Sequence, residues 1–234
     1  MIASSAPIRV LIVYYSRFGA VERLAQCVAQ GVQRVENTSI DLLQVEDQPI
    51  DELRPGEDEG AMRVRRAATV NKLTMADALI VGSPGYFGGM AAAVHRLFED
   101  CATAAGTPGV DRTRPWRHYL FKDKVGGAFA ATGTPHGGNE QTLLSILTMF
   151  MHFGMIPVTP GQQQPILENE GAPYGATTIT GPTGDRSPTP DEEDQARRLG
   201  QRVAEVATWI VTGATEWAAD RDARSHVRGG NQPL

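Results

Sequence analysis

Cysteine is scarce in this chain of 234 residues; there are two, Cys27 and Cys101. Two thiols without metal-ligand spacing build neither a disulfide framework nor a zinc site, so both read as small buried side chains on helices. That usage suits a reducing compartment, and a cytoplasmic location is expected. Charge of one sign is also scarce: the formal net charge of -5 gives no broad electrostatic case for nucleic acid, and no nucleic-acid partner is expected. No apolar run approaches the roughly 20 residues of a membrane-spanning helix. The stretch Met1 to Pro7 lacks a charged region followed by an apolar core, so no signal peptide is expected. No G-x-G-x-x-G dinucleotide fingerprint, Gly-Lys-Ser/Thr nucleotide loop, Ser/His/Asp set, carboxylate pair or metal cluster is visible, and no metal is expected. What the chain has in quantity is loop chemistry. Its 25 glycines and 15 prolines cluster between periodic segments, which points to long, shaped loops.

The most informative stretch runs from Ile8 to Val35. Ile8 to Tyr15 is a short apolar run without alternation, as in a strand buried on both faces of a parallel sheet. After Ser16-Arg17-Phe18-Gly19-Ala20, the residues Val21, Leu24, Ala25, Val28, Val32 and Val35 recur at helical spacing. A strand that turns directly into a helix leaves amide donors and a positive dipole end facing outward, which suits a phosphate. Taken alone, this unit reads equally well as an ordinary strand, loop and helix that binds nothing.

Thr38 to Val45 reads as a second strand, nearer an edge. Residues 46–74 are acidic, then basic, and read as a partly mobile loop with at most a short helix. Met75 to Ser83 reads as the third strand, and Val125 to Ala131 as a close-packed fourth. A fifth strand starts at Met155-Ile156-Pro157-Val158. Helix stripes follow at Met90 to Cys101, at Leu143 to Phe150 and at Leu199 to Ile210. The last of these is introduced by Thr189-Pro190-Asp191-Glu192, a capping residue, a first-turn proline and an acid at the third position. The segment 160–188 is too long for a plain connection and is expected to be functional. Strands alternating with helices predict an α/β, flavodoxin-like doubly wound sheet of five parallel strands, order 2-1-3-4-5, with helices on both faces. Residues 1–212 are expected to form one flavodoxin-like FMN-binding domain, and 213–234 an irregular, partly disordered C-terminal extension. Loops 16–20, 83–89 and 131–138 then meet at the switch point between the first and third strands. A phosphate held by neutral donors beside flat side chains, Tyr86 and Phe87, describes FMN.

Several blocks make the reading specific. Ser16-Arg17-Phe18-Gly19-Ala20-Val21 resembles the phosphate loop of flavodoxin-like proteins. Ser83-Pro84-Gly85-Tyr86-Phe87-Gly88-Gly89-Met90 and Ala131-Thr132-Gly133-Thr134-Pro135-His136-Gly137-Gly138-Asn139-Glu140-Gln141-Thr142 resemble the second and third flavin loops of the WrbA-type NAD(P)H:quinone oxidoreductases. His152-Phe153-Gly154-Met155 and Ala172-Pro173-Tyr174-Gly175-Ala176-Thr177-Thr178-Ile179 resemble two further blocks of that family. The resemblance implies bound FMN, NADH or NADPH as co-substrate, a quinone as electron acceptor, and a homotetramer in which a neighbouring subunit completes each site. It implies that Ser16, Arg17, Phe18, Gly19, Ala20 and Val21 hold the phosphate, and that Gly85, Tyr86 and Phe87 lie beside the ring. Ala131, Thr132, Gly133, Thr134, Pro135 and His136 line the ring's other edge, and His152 contacts the flavin as the candidate catalytic residue. Phe18 and Trp116 are implied at the substrate side. The chain departs from the family pattern at Arg17, Ala20, Tyr86 and Ala131, and in a longer 102–122 connection.

Residue type alone favours blander roles. His152 reads as a helix-end histidine bonded to backbone, and Arg63, Arg65 and Arg66 as solvated surface rather than a nucleotide phosphate site, while Trp116 reads equally as a loop cover or a substrate wall. Alternative functions are a one-electron flavodoxin-type carrier, an FMN or azo reductase, and a non-catalytic flavin-binding regulatory protein.

Overall fold

The computed structural model describes residues 6–103, 121–162 and 171–229. Trp116 and most of the 102–122 connection lie outside the described residues. Among the described residues seven strands and five helices follow in chain order: β1 (Ile8–Tyr14), α1 (Ala20–Val32), β2 (Thr38–Gln44), α2 (Glu59–Met75), β3 (Ala78–Tyr86), β4 (Gly89–Met90), α3 (Ala92–Thr103), β5 (Val125–Thr132), α4 (Asn139–His152), β6 (Ile156–Pro157), β7 (Ala176–Ile179) and α5 (Pro190–Gly229). The sheet order is β2-β1-β3-β5-β6, every neighbour parallel, with β7 also parallel on β5 and β4 a short antiparallel return on β3. This is the expected doubly wound order, with β5 in the fourth place and β6 with β7 sharing the fifth.

Alternate residues of each central strand serve opposite layers. Leu11, Val13, Leu79 and Val81 pack under α2, α3 and α4, against Leu73, Phe98 and Phe150 among others. Val10, Ile12, Ile80 and Phe129 pack under α1 and α5, against Leu24, Val28, Leu199 and Val203. This is why the strands read as continuous apolar runs. The pairing of α1 with α5 is close. A Cβ on Gly31 would collide with the Arg197 carbonyl, and one on Gly200 with the Val28 carbonyl.

Four expectations need correction. Residues 59–75 are a full helix rather than a loop. Asp58 caps it by accepting from the Ala61 amide at 2.8 Å, but only Val70 and Leu73 are buried, so its apolar stripe is too thin to read in the sequence. The third strand starts at Ala78, because Met75 is still the last residue of α2 and is exposed. The fifth strand is two pieces. The Val158 amide donates to Gly126 O at 2.7 Å, the chain leaves the sheet, and β7 returns inside the segment read as loop. Finally, residues 213–229 continue α5 as helix instead of being irregular. Among the described residues no helix is long and apolar enough to cross a membrane.

Candidate functional site

At the carboxyl ends of β1, β3, β5 and β7 lies a cleft of about 270 Å³ lined by Ser16, Arg17, Phe18, Ala20, Val21, Pro84, Gly85, Tyr86, Ala131, Thr132, Gly133 and residues 180–184. The first three expected loops therefore do meet. The first loop turns through Gly19, whose φ of +91° is the left-handed conformation that glycine adopts without a steric penalty. The Ser16 hydroxyl oxygen accepts the amides of Gly19 and Glu22, each at 3.2 Å, and so caps the start of α1. With its lone pairs used inward, its O–H is left to donate into the cleft. The amides of Ala20 and Val21 open the helix, where no carbonyl one turn earlier can accept them. Hydroxyl, amides and dipole end together form a cradle for an anion.

The second loop is held from below. Ser83 is fully buried and its hydroxyl accepts the Ala91 amide at 2.8 Å, while Ser145 accepts the Met90 amide at 3.1 Å. A Cβ on Gly85 would stand 2.6 Å from Thr142 Oγ1 and 2.7 Å from Thr132 Cγ2, so only glycine lets the second and third loops close up here. Tyr86 and Gly89 pair across a two-residue turn in which Phe87 (φ 53°) and Gly88 (φ 80°) both take positive φ. That turn lifts the Phe87 ring fully into solvent and out of the cleft, while the part-exposed Tyr86 ring stays at its wall. In the third loop, Ala131 and Thr132 are buried at the cleft floor and Gly133 reaches it. Thr134, Pro135 and His136 turn outward and do not line it. Gly19 shapes the first loop from outside the cleft lining.

His152 is not brought to this cleft. It ends α4, whose start adjoins the third loop, and the helix of 14 residues puts it roughly 20 Å away at 1.5 Å per residue. A fourth wall lies inside the 160–188 segment expected to be functional, at residues the sequence reading did not single out: Thr180, Gly181, Pro182, Thr183 and Gly184, directly after β7. The signal was present as the β-branched run Thr177-Thr178-Ile179-Thr180 ending in Gly181-Pro182. Beside the first loop, Tyr15 donates to Asp47 at 2.7 Å, and that bond with burial raises its pKa, so the phenol stays neutral.

The slot, the anion cradle and the tyrosine wall fit a flat ring carrying one phosphate. The family of NADPH-dependent FMN reductases matches residues 9–164. Curated relatives named NAD(P)H dehydrogenase (quinone) include those of Acidovorax ebreus, 38% identical over 88% of this chain and 99% of theirs, and Rhodopseudomonas palustris, 37% identical over 85% and 96%. A solved structure described as a flavodoxin, WrbA-like protein from Agrobacterium tumefaciens superposes with TM-score 0.57 at 24% identity, covering 86% of this chain and 98% of that one. That likeness carries the fold, while the identity to the curated relatives over nearly their whole length carries the family. The chain belongs to the NADPH-dependent FMN reductase family, alongside the NAD(P)H dehydrogenase (quinone) proteins.

Proposed function

We propose that the protein is an FMN-dependent NAD(P)H:quinone oxidoreductase, in which both substrates use the one cleft in turn. The observation that carries this is the anion cradle of Ser16, Ala20 and Val21 opening into the same slot as Tyr86, Thr132 and Gly133. When bound there, FMN supplies two-electron chemistry, accepting from NAD(P)H and passing electrons on to a quinone. The chain's own residues bind, orient and exclude water. Ser16 and the α1 amides take the phosphate, Thr132 and Gly133 border the ring, and the Tyr86 phenol walls its side. Phe18, part of the lining and 72% exposed, is placed for the incoming substrate.

The reading includes a homotetramer. It is supported by apolar side chains left exposed, Phe87 beside the cleft and Leu144 and Met151 along α4, and by His152, which reaches a flavin only in a neighbouring copy. There it acts as a proton donor to the reduced quinone. A cytoplasmic location is supported by two free, buried cysteines, with burial pushing the Cys101 thiol up to about 12. Anaerobic oxidation of NADH and of NADPH by benzoquinone, with and without FMN, tests the reading. FMN-dependent turnover with parallel double-reciprocal lines is expected. Colourless protein with no turnover after FMN addition contradicts it, and intersecting lines contradict the alternating order.

A further inference from the structure

The fourth wall of the cleft has little packing of its own. From Gly181 to Ser187 no residue is buried, and two glycines and a proline fall within its first four positions. Such a segment is costly to order unless something fixes it. Glu192 does so from α5. It sits in a capping box with Thr189: its carboxylate accepts the Thr189 amide at 2.7 Å, and Thr189 Oγ1 accepts the Glu192 amide at 3.3 Å. Capping carboxylates ordinarily face water, but this one is 8% exposed. It also accepts the Thr178 hydroxyl at 2.9 Å, the Ile179 amide at 3.4 Å, and both ends of the Arg186 fork at 2.7 and 3.2 Å. Arg186 Nε donates to the Ile179 carbonyl, and the Arg186 amide donates to Thr180 O at 2.9 Å. The Thr180 amide in turn donates to Thr132 O, on the cleft floor, at 2.8 Å. The wall is thus tied at both ends, and between the ties Gly184 lies against the Phe18 ring.

The geometry points to Arg186 and Glu192 as a positioning pair that holds the 180–184 wall in its closed place and so sets how tightly and how long the cleft keeps its flavin. This rests on the reading that FMN occupies the cleft. Neither side chain lines the cleft itself. The pair acts by ordering the wall before the ligand arrives, so its loss appears chiefly in the off-rate.

The test is FMN binding by purified apoprotein, followed by flavin fluorescence, for wild type, Arg186→Ala, Glu192→Gln and the double variant. Arg197→Ala serves as a control, since Arg197 joins Glu193 and Gln30 across α5 and α1 at 2.9 Å, away from the wall. Arg186→Ala is expected to raise Kd by about tenfold, with the off-rate rising in proportion; the apoprotein melts lower, since the Glu192 carboxylate loses its cation, but keeps its folded far-ultraviolet circular dichroism at the assay temperature. The double variant is expected to lose no more than the worse single one, because the two residues act as a unit. Arg197→Ala is expected to leave Kd unchanged. If wild type binds FMN and Arg186→Ala binds it equally well, or if the two losses multiply, the positioning role is overturned while the cofactor reading stands. A wild type that takes up no FMN overturns both.

Discussion

Arg65 shows how a cation that looks free in the sequence can be spent locally. Its guanidinium donates to both oxygens of Glu57 at 2.8 Å, to Ile50 O at 3.1 Å and to Glu52 O at 2.7 Å. Four of its five N–H donors are spent this way, and the fork pins the loop before α2. The fork and the Arg54 amide bond hold the Glu57 carboxyl down to about 2, against an ordinary 4.5. A carboxylate lowered on folding contributes stability that is full above about pH 4.5 and is lost as pH falls toward 2. Glu57→Gln is expected to remove that share of the acid sensitivity, read as a shallower loss of melting temperature between those limits. Ser16 is the opposite case, a small side chain with an outward task. Ser16→Ala should weaken FMN binding by roughly tenfold or more, the scale of a hydrogen bond to a charged group, yet leave riboflavin binding as it was. Equal losses for both ligands would show that the hydroxyl serves the loop and not the phosphate.

At the scale of elements, legibility followed burial. The strands β1, β3 and β5 are buried on both faces, so uninterrupted apolar runs announce them. The α1 stripe of Val21, Leu24, Val28 and Val32 is likewise buried and plain. By contrast α2 buries only Val70 and Leu73, and its ion pairs, Arg65 with Glu57 and Lys72 with Asp41, carry no period. The edge place in the sheet is split between β6 of two residues and β7 of four, too short for either to stand out. The cleft followed the same rule. Three loops that continue readable strands were found residue by residue, whereas the wall behind β7 was placed only within the long 160–188 segment, its strand unread. The long α5 divides in the same way. Leu199 and Val203 are fully buried between α1 and the sheet, and Leu199→Ala should cost about 2–5 kcal/mol by thermal or denaturant unfolding. Beyond Gly213 the described side chains, residues 214–218, are mostly exposed, so Glu216→Ala should change melting temperature and FMN affinity little.

At the scale of the molecule, one parallel sheet between two helix layers brings four chain segments to one rim, and the sheet's switch point decides where they meet. His152 reads differently at this scale than along the sequence. Its family block predicts flavin contact, but one chain places it a helix length from its own cleft, and the proposed tetramer is what would join the two. His152→Ala is therefore expected to lower quinone turnover while leaving the apoprotein's melting temperature close to wild type, since the side chain is exposed. The central claim is that the start of α1 grips an anionic tail of a flat cofactor. Parallel titration of the apoprotein with FMN and with riboflavin, which lacks only the phosphate, tests it most directly. FMN bound at least a hundredfold more tightly is the predicted result; equal affinities, or no binding of either, would contradict it.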